Sequence, residues 1–169
     1  MGVTAENQPT ADNRIWQLLR LPAALHFVSI EPMLESIDIS EYLDLTTDDY
    51  RKMYYDAERH PVLPDDISRD YSKIAWVICG GESGPDARAL HPDWVRDLRD
   101  QCIAANVPFF FKQWGEWLPA GQVSNDPERY LPENVKYHDF GDAICARIGK
   151  KLSGDILDGR QWHEYPEVK

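Results

Sequence analysis

Four short apolar runs punctuate the chain, Gly2–Glu6, His26–Glu31, Ile74–Cys79 and Pro108–Lys112, each followed by a change of character. Within them apolar residues follow one another almost without interruption, as in Phe27-Val28-Ser29-Ile30 and Trp76-Val77-Ile78-Cys79. A half-exposed strand alternates apolar and polar side chains, whereas a strand covered on both faces is apolar throughout, so the runs predict buried strands of a parallel sheet. Between the first two, Ile15, Leu18 and Leu19 repeat at helical spacing and Pro22 closes the segment, which makes a βαβ unit. Between the last two, Pro92 suits a first helical turn. Val95, Leu98 and Cys102 then line one face, and Asp93, Arg96, Asp97, Arg99 and Asp100 are left for solvent. This is a second βαβ unit.

The rhythm breaks at Glu35–Lys73, which is acidic and Tyr-rich, contains Pro61 and Pro64, and reads as an insertion over one rim with a short helix around Asp48–Arg59. After Trp117 the chain is rich in Pro, Gly and Asn to about Asn134. Residues 118–169 read as a tail that wraps the domain. The expected fold is therefore a single α/β domain over residues 1–169: an incomplete β/α barrel or an open, mainly parallel sheet of about four strands, with flanking helices and one inserted helical segment.

Charge narrows the partners. Lys and Arg number 18 against 29 Asp and Glu, a formal net charge of −11, which opposes broad binding to nucleic acid or to an anionic membrane. The three cysteines, Cys79, Cys102 and Cys145, are far apart and match neither a disulfide framework nor a metal-ligand spacing. No apolar run approaches the roughly 20 residues that span a bilayer, and the N-terminus has no basic-then-apolar leader, so a cytoplasmic location is expected.

The ends of parallel strands are where α/β folds place ligands. Here they carry Glu6 and Asn7, then Glu31, then Gly80-Gly81-Glu82-Ser83-Gly84, then Lys112, Gln113 and Trp114. Three carboxylates converging there would raise one another's pKa unless Lys112, Arg88 or a cation compensates them. Such a group could bind a cation or a ligand amine, or move protons. The glycine-rich stretch lets a ligand approach the backbone and its N–H groups could hold an anion, although it has neither the Walker nor the dinucleotide spacing. Pro85 stands where a Gly-x-Ser-x-Gly elbow needs its last glycine, which argues against Ser83 as a nucleophile. Trp114 and Trp117 lie past the strand end as candidate ligand contacts, with Arg88 and Trp114 as outer contributors. His91, before Pro92, reads as a helix cap or loop residue, and His26, His60, His138 and His163 share no ligand spacing, so no metal site is expected.

These motifs, Gly2-Val3-Thr4-Ala5-Glu6-Asn7-Gln8, Phe27-Val28-Ser29-Ile30-Glu31-Pro32-Met33-Leu34, Trp76 to Pro85 and Phe109 to Trp117, together resemble the C-terminal half of a family of phage and prophage proteins. The ending Gly149-Lys150-Lys151, Leu157-Asp158-Gly159-Arg160 and Trp162 resembles that family's C-terminus. The N-terminal half of the family carries a radical-SAM-like motif of three cysteines. The resemblance implies a phage or prophage gene expressed in a bacterial cytoplasm, and S-adenosylmethionine as a possible cofactor. It also implies that the first strands and the cluster-binding cysteines precede the point where this chain begins, so that the chain alone binds no iron–sulfur cluster.

Two functions remain open. The chain is the ligand-binding half of an enzyme, not catalytic alone, completed by a second polypeptide supplying the missing strands or by a second copy of itself. Alternatively it is an acidic interaction protein that binds or inhibits a host protein. The substitutions that separate them are those at Glu31 and Lys112, against charge reversal within Glu35–Asp70.

Overall fold

In the computed structural model, which describes residues 1–45, 73–122 and 134–167, the four runs form one parallel sheet. Strands β1 (Gly2–Thr4), β2 (Phe27–Ile30), β3 (Trp76–Gly80) and β4 (Phe109–Gln113) lie side by side in chain order. All three pairings are parallel, and the sheet stays open instead of closing into a barrel. Parallel neighbours need a crossover. Helix α1 (Gln8–Leu19) supplies the first, a short α2 (Ser40–Leu43) follows β2, and α3 (Pro92–Ala104) connects β3 to β4. The helix expected around Asp48–Arg59 lies outside the described residues.

Local chemistry sets the helix starts. Asn7 caps α1: its Oδ1 accepts from the Thr10 N–H at 3.0 Å, while Thr10 Oγ1 accepts from the Asn7 N–H at 3.1 Å. His91 caps α3, Nδ1 accepting from the Asp93 N–H at 3.2 Å, with Pro92 in the first turn as the sequence predicts. The predicted apolar stripes are buried, Ile15, Leu18 and Leu19 on α1 and Val95, Leu98 and Cys102 on α3.

These stripes join Val28, Ile30, Val77, Cys79, Phe109 and Phe111 in one core. The opposite face of the sheet departs from expectation. Apolar runs that continuous predict burial on both faces, yet burial alternates along β2, β3 and β4, and Phe27, Ser29, Trp76, Ile78 and Phe110 are only half-buried. The aromatic residues of this second face cover one another. Phe27 and Trp76 lie 5.8 Å apart and Trp76 and Phe110 6.1 Å, and the exposed Tyr165 ring rests 5.6 Å from Trp76 and 5.3 Å from Phe110. Lateral ring packing thus shields part of this face.

The segment read as a wrapping tail contains structure of its own. Strands β5 (Trp117–Pro119), β6 (Lys136–Asp139) and β7 (Ile144–Arg147) make a small antiparallel sheet in the order β5-β7-β6. After the one-turn α4 (Lys150–Ser153), the hairpin of β8 (Ile156–Leu157) and β9 (Arg160–Gln161) turns at Asp158-Gly159, both with positive φ, as a two-residue hairpin requires. The chain then runs antiparallel along β4. The Phe111 N–H donates to the Trp162 carbonyl at 2.7 Å and the Glu164 N–H to the Phe109 carbonyl at 3.2 Å, which sets His163 opposite Phe110 and closes that sheet edge.

Candidate functional site

Side chains of alternate residues share a face, so the half-buried face carries Thr4, Ser29, Ile78 and Phe110 in one layer; toward the strand ends follow Glu31 and Lys112, where a register shift pairs Gly80 with Gln113. There Lys112 Nζ donates to Glu31 Oε2 at 2.9 Å and Gln113 Nε2 to Glu31 Oε1 at 3.0 Å. Gln113 is itself buried and sits 3.4 Å from the Gly81 carbonyl, so it fixes the carboxylate from the core side. Glu31 is mostly shielded while the Lys112 side chain is 52 % exposed, so the cation of the pair faces outward. The loop after β2 is tied across the strand ends by the Met33 N–H to the Gly80 carbonyl at 3.1 Å and the Leu34 N–H to the Glu6 carbonyl at 2.9 Å. Glu31, Gly80, Gly81, Lys112 and Gln113 therefore come together as the sequence suggests.

The other candidates do not join them. Glu6 turns to Arg14 of α1, whose Nη1 lies 3.1 Å from both carboxylate oxygens and 2.8 Å from the Thr4 carbonyl. Asn7 has its amide oxygen committed to the α1 cap, which makes it the residue that starts the helix. Glu82 turns to Arg88, which donates Nε at 2.8 Å, Nη2 at 2.9 Å and its backbone N–H at 2.9 Å. The expected convergence of three carboxylates would raise their pKa; instead the Arg88 guanidinium holds the Glu82 carboxyl below its ordinary value. Ser83 is exposed at the tip of the same loop.

Two further readings are corrected. The glycines after β3 serve chain crossing: a Cβ on Gly81 would overlap the Trp114 carbonyl, and one on Gly115 the Glu82 carbonyl. Their N–H groups are also engaged, Gly81 with the Gln113 carbonyl at 2.9 Å and Gly84 with Glu116 Oε1 at 3.2 Å, which leaves these two nothing for an anion. Trp114 is fully buried, its Nε1–H on the Ile156 carbonyl at 2.9 Å, so it offers no face to a ligand. An indole past a strand end can turn inward once the chain has looped over it, and nothing in the local pattern distinguishes the two cases. Trp117 donates to the Ala87 carbonyl at 2.7 Å and carries the Arg147 guanidinium 5.7 Å above its ring, while Arg147 Nη2 reaches the Gly84 and Pro85 carbonyls at 2.8 and 2.7 Å. The small sheet thereby buttresses the loop after β3.

Some groupings escape any reading by spacing. His163 pairs with Asp155 at 2.8 Å, and its ring stacks on Phe110 at 4.7 Å and 11° on the half-buried face. Only the strand pairing of 110 with 163 could have revealed it. His91, Asp93 and Asp142 offer ligand atoms within 4.8 Å of one another. Each has a protein partner already: His91 Nε2 meets Asp142 at 3.0 Å, His91 Nδ1 accepts the cap bond, and Asp93 takes Arg96 at 2.7 Å. The three cysteines sit apart on β3, α3 and β7, free and buried, and burial pushes the Cys102 and Cys145 thiols up to about 12 and about 11. Among the described residues the three thiols form no common ligand group, which does not fit an iron–sulfur cluster. Outside the site, an open cleft near α2 and α3 is lined by Asp38, Glu41, Asp44, Asp97 and Asp100.

Residues 1–166 match the model of a family described as a protein of unknown function (DUF5131). No curated protein and no solved structure matches the chain.

Proposed function

The chain belongs to the DUF5131 family, and we propose that it is the ligand-binding half of a composite site, with a zwitterionic ligand of the S-adenosylmethionine type held at the strand ends. The observation that supports this most is the Lys112–Glu31 pair at 2.9 Å, charges of both signs side by side on a half-buried sheet face. A zwitterion matches such a pair head to tail, its ammonium taken by Glu31 and its carboxylate by Lys112, which has three donors. Gln113 orients Glu31, and Ile78 and Phe110 offer an apolar floor beside it. When bound, S-adenosylmethionine supplies a sulfonium carbon for transfer.

Catalysis requires more than this chain in the same reading. Its cysteines do not fit a cluster, and the half-buried face takes a cover from a second polypeptide or a second copy. Because the tail closes the β4 edge, the cover attaches on the β1 side. In this reading, which the motif resemblance supports, the gene is a phage or prophage one and the protein works in a bacterial cytoplasm. Among the described residues no helix is long and apolar enough to cross a membrane.

The acidic cleft near α2 and α3 favours one other reading, in which the protein captures a basic surface of a host protein. Titration calorimetry with S-adenosylmethionine decides between them. Binding that Glu31→Gln and Lys112→Ala each weaken at least tenfold supports the strand-end site. No binding, or binding indifferent to both substitutions, sinks it and makes Asp97→Lys with Asp100→Lys, tested for loss of host-protein capture, the next pair to build.

A further inference from the structure

We propose that His163, oriented by Asp155, is the proton-accepting group of this site, an inference that rests on the strand-end ligand reading. Because His163 lies opposite Phe110 in an antiparallel bridge, its side chain emerges on the same face as Phe110 and, one layer on, Lys112. The bonds flanking the bridge make 110 and 163 the closely spaced kind of pair, consistent with their rings at 4.7 Å. From there Lys112 lies two residues further along β4. A ligand anchored on Lys112 and Glu31 and extending along β4 toward Phe110 therefore meets the imidazole stacked on that ring.

The imidazole is prepared for this. Its Nε2 lies 2.8 Å from Asp155 as an ion pair, and Asp155 is fixed in turn by Gln161 Nε2 at 3.3 and 3.2 Å from its two oxygens. Among the described residues no hydrogen bond engages either ring nitrogen, and the side chain is 37 % exposed. His91 shows the contrast: both its nitrogens are engaged and its ring is buried beneath Trp94 and Phe140. In the step proposed, a ligand N–H or O–H gives its proton to the imidazole, the bonding electrons stay on the ligand atom, and the Asp155 carboxylate 2.8 Å from Nε2 stabilises the resulting imidazolium by its charge.

The test is carbethoxylation of the intact chain by diethyl pyrocarbonate, followed by mass mapping of His163 and His138, with S-adenosylmethionine binding measured by calorimetry in parallel. Expected are faster modification of His163 than of His138, about tenfold slowing by Asp155→Asn, and protection of His163 alone by saturating S-adenosylmethionine. If the ligand binds but leaves His163 unprotected, or if Asp155→Asn has no effect on the rate, the dyad is only a tail anchor and the inference is overturned while the binding site stands. If S-adenosylmethionine does not bind, the strand-end reading itself fails and this inference with it. His163→Gln, which keeps a polar side chain opposite Phe110, is expected to retain the fold by circular dichroism and binding within about tenfold.

Discussion

Lys112 reaches Glu31 at 2.9 Å although their strands are not neighbours. β3 lies between β2 and β4, a gap of about 10 Å, and the residue of β3 beside Glu31 is Gly80, where a Cβ would sit 3.2 Å from Glu31 Oε1. The missing side chain opens the path for the ion pair to cross the middle strand.

Gly80→Ala is accordingly expected to disturb the pair more than the fold. The added methyl meets the end of a flexible side chain, so the unfolding free energy in urea should stay within about 1 kcal/mol of the parent. Affinity for S-adenosylmethionine should fall about tenfold as Glu31 is displaced. Unchanged affinity in calorimetry would show that Glu31 and Lys112 need not meet over Gly80.

Gly115→Ala should behave in the opposite way. Here φ is +81° and the new methyl would strike the Glu82 backbone carbonyl, which no side-chain rotation can relieve. We expect a loss of about 3 kcal/mol or more in urea unfolding. A loss below about 1 kcal/mol would mean that the loops after β3 and β4 cross less tightly than described.

Trp114→Ala removes a fully buried indole and orphans the Ile156 carbonyl. About 3–5 kcal/mol of stability should disappear, whereas ligand affinity of the remaining folded protein, measured at low temperature, should not change. A selective loss of affinity with stability intact would restore Trp114 as a contact residue.

Asp158 ties the β8–β9 hairpin to α3, bonded by Arg96 at 2.7 Å, Arg99 at 2.9 Å and Gln122 at 2.8 Å. Hydrogen bonds from Arg96 above all hold its carboxyl well below the usual range. A depressed folded-state pKa stabilises the protein above the unfolded value of about 3.9 and ceases to do so as pH falls through the folded value. Asp158→Asn should therefore be less stable than the parent at pH 7, with the gap narrowing steadily below about pH 4. Thermal melts at pH 7, 4 and 2.5 check this, and a gap that is constant with pH would exclude the charge as its cause.

Much of the architecture is legible in the residues because it depends on near neighbours. Pro92 and the Val95, Leu98 and Cys102 stripe announce α3, and runs such as Trp76-Val77-Ile78-Cys79 announce parallel strands. The grouping of Glu31 with Lys112 follows from strand ends alone. By contrast, the commitment of Glu6 to Arg14 was not foreseen, and Arg88, expected to compensate a converging group, instead holds Glu82 apart from it, because a polar strand end looks the same whether its partner lies across the sheet or in the following segment.

What the sequence by itself determined is thus the four strands of the main sheet, their parallel sense and the two buried helix faces, since periodicity and caps act over a turn or two of chain. Only the tertiary structure decided that one sheet face is half-buried, that Trp114 points inward and that His163 joins Asp155 on that face. Those outcomes depend on where the tail docks against β4, through hydrogen bonds between residues some fifty positions apart, and no spacing along the chain records such a distance.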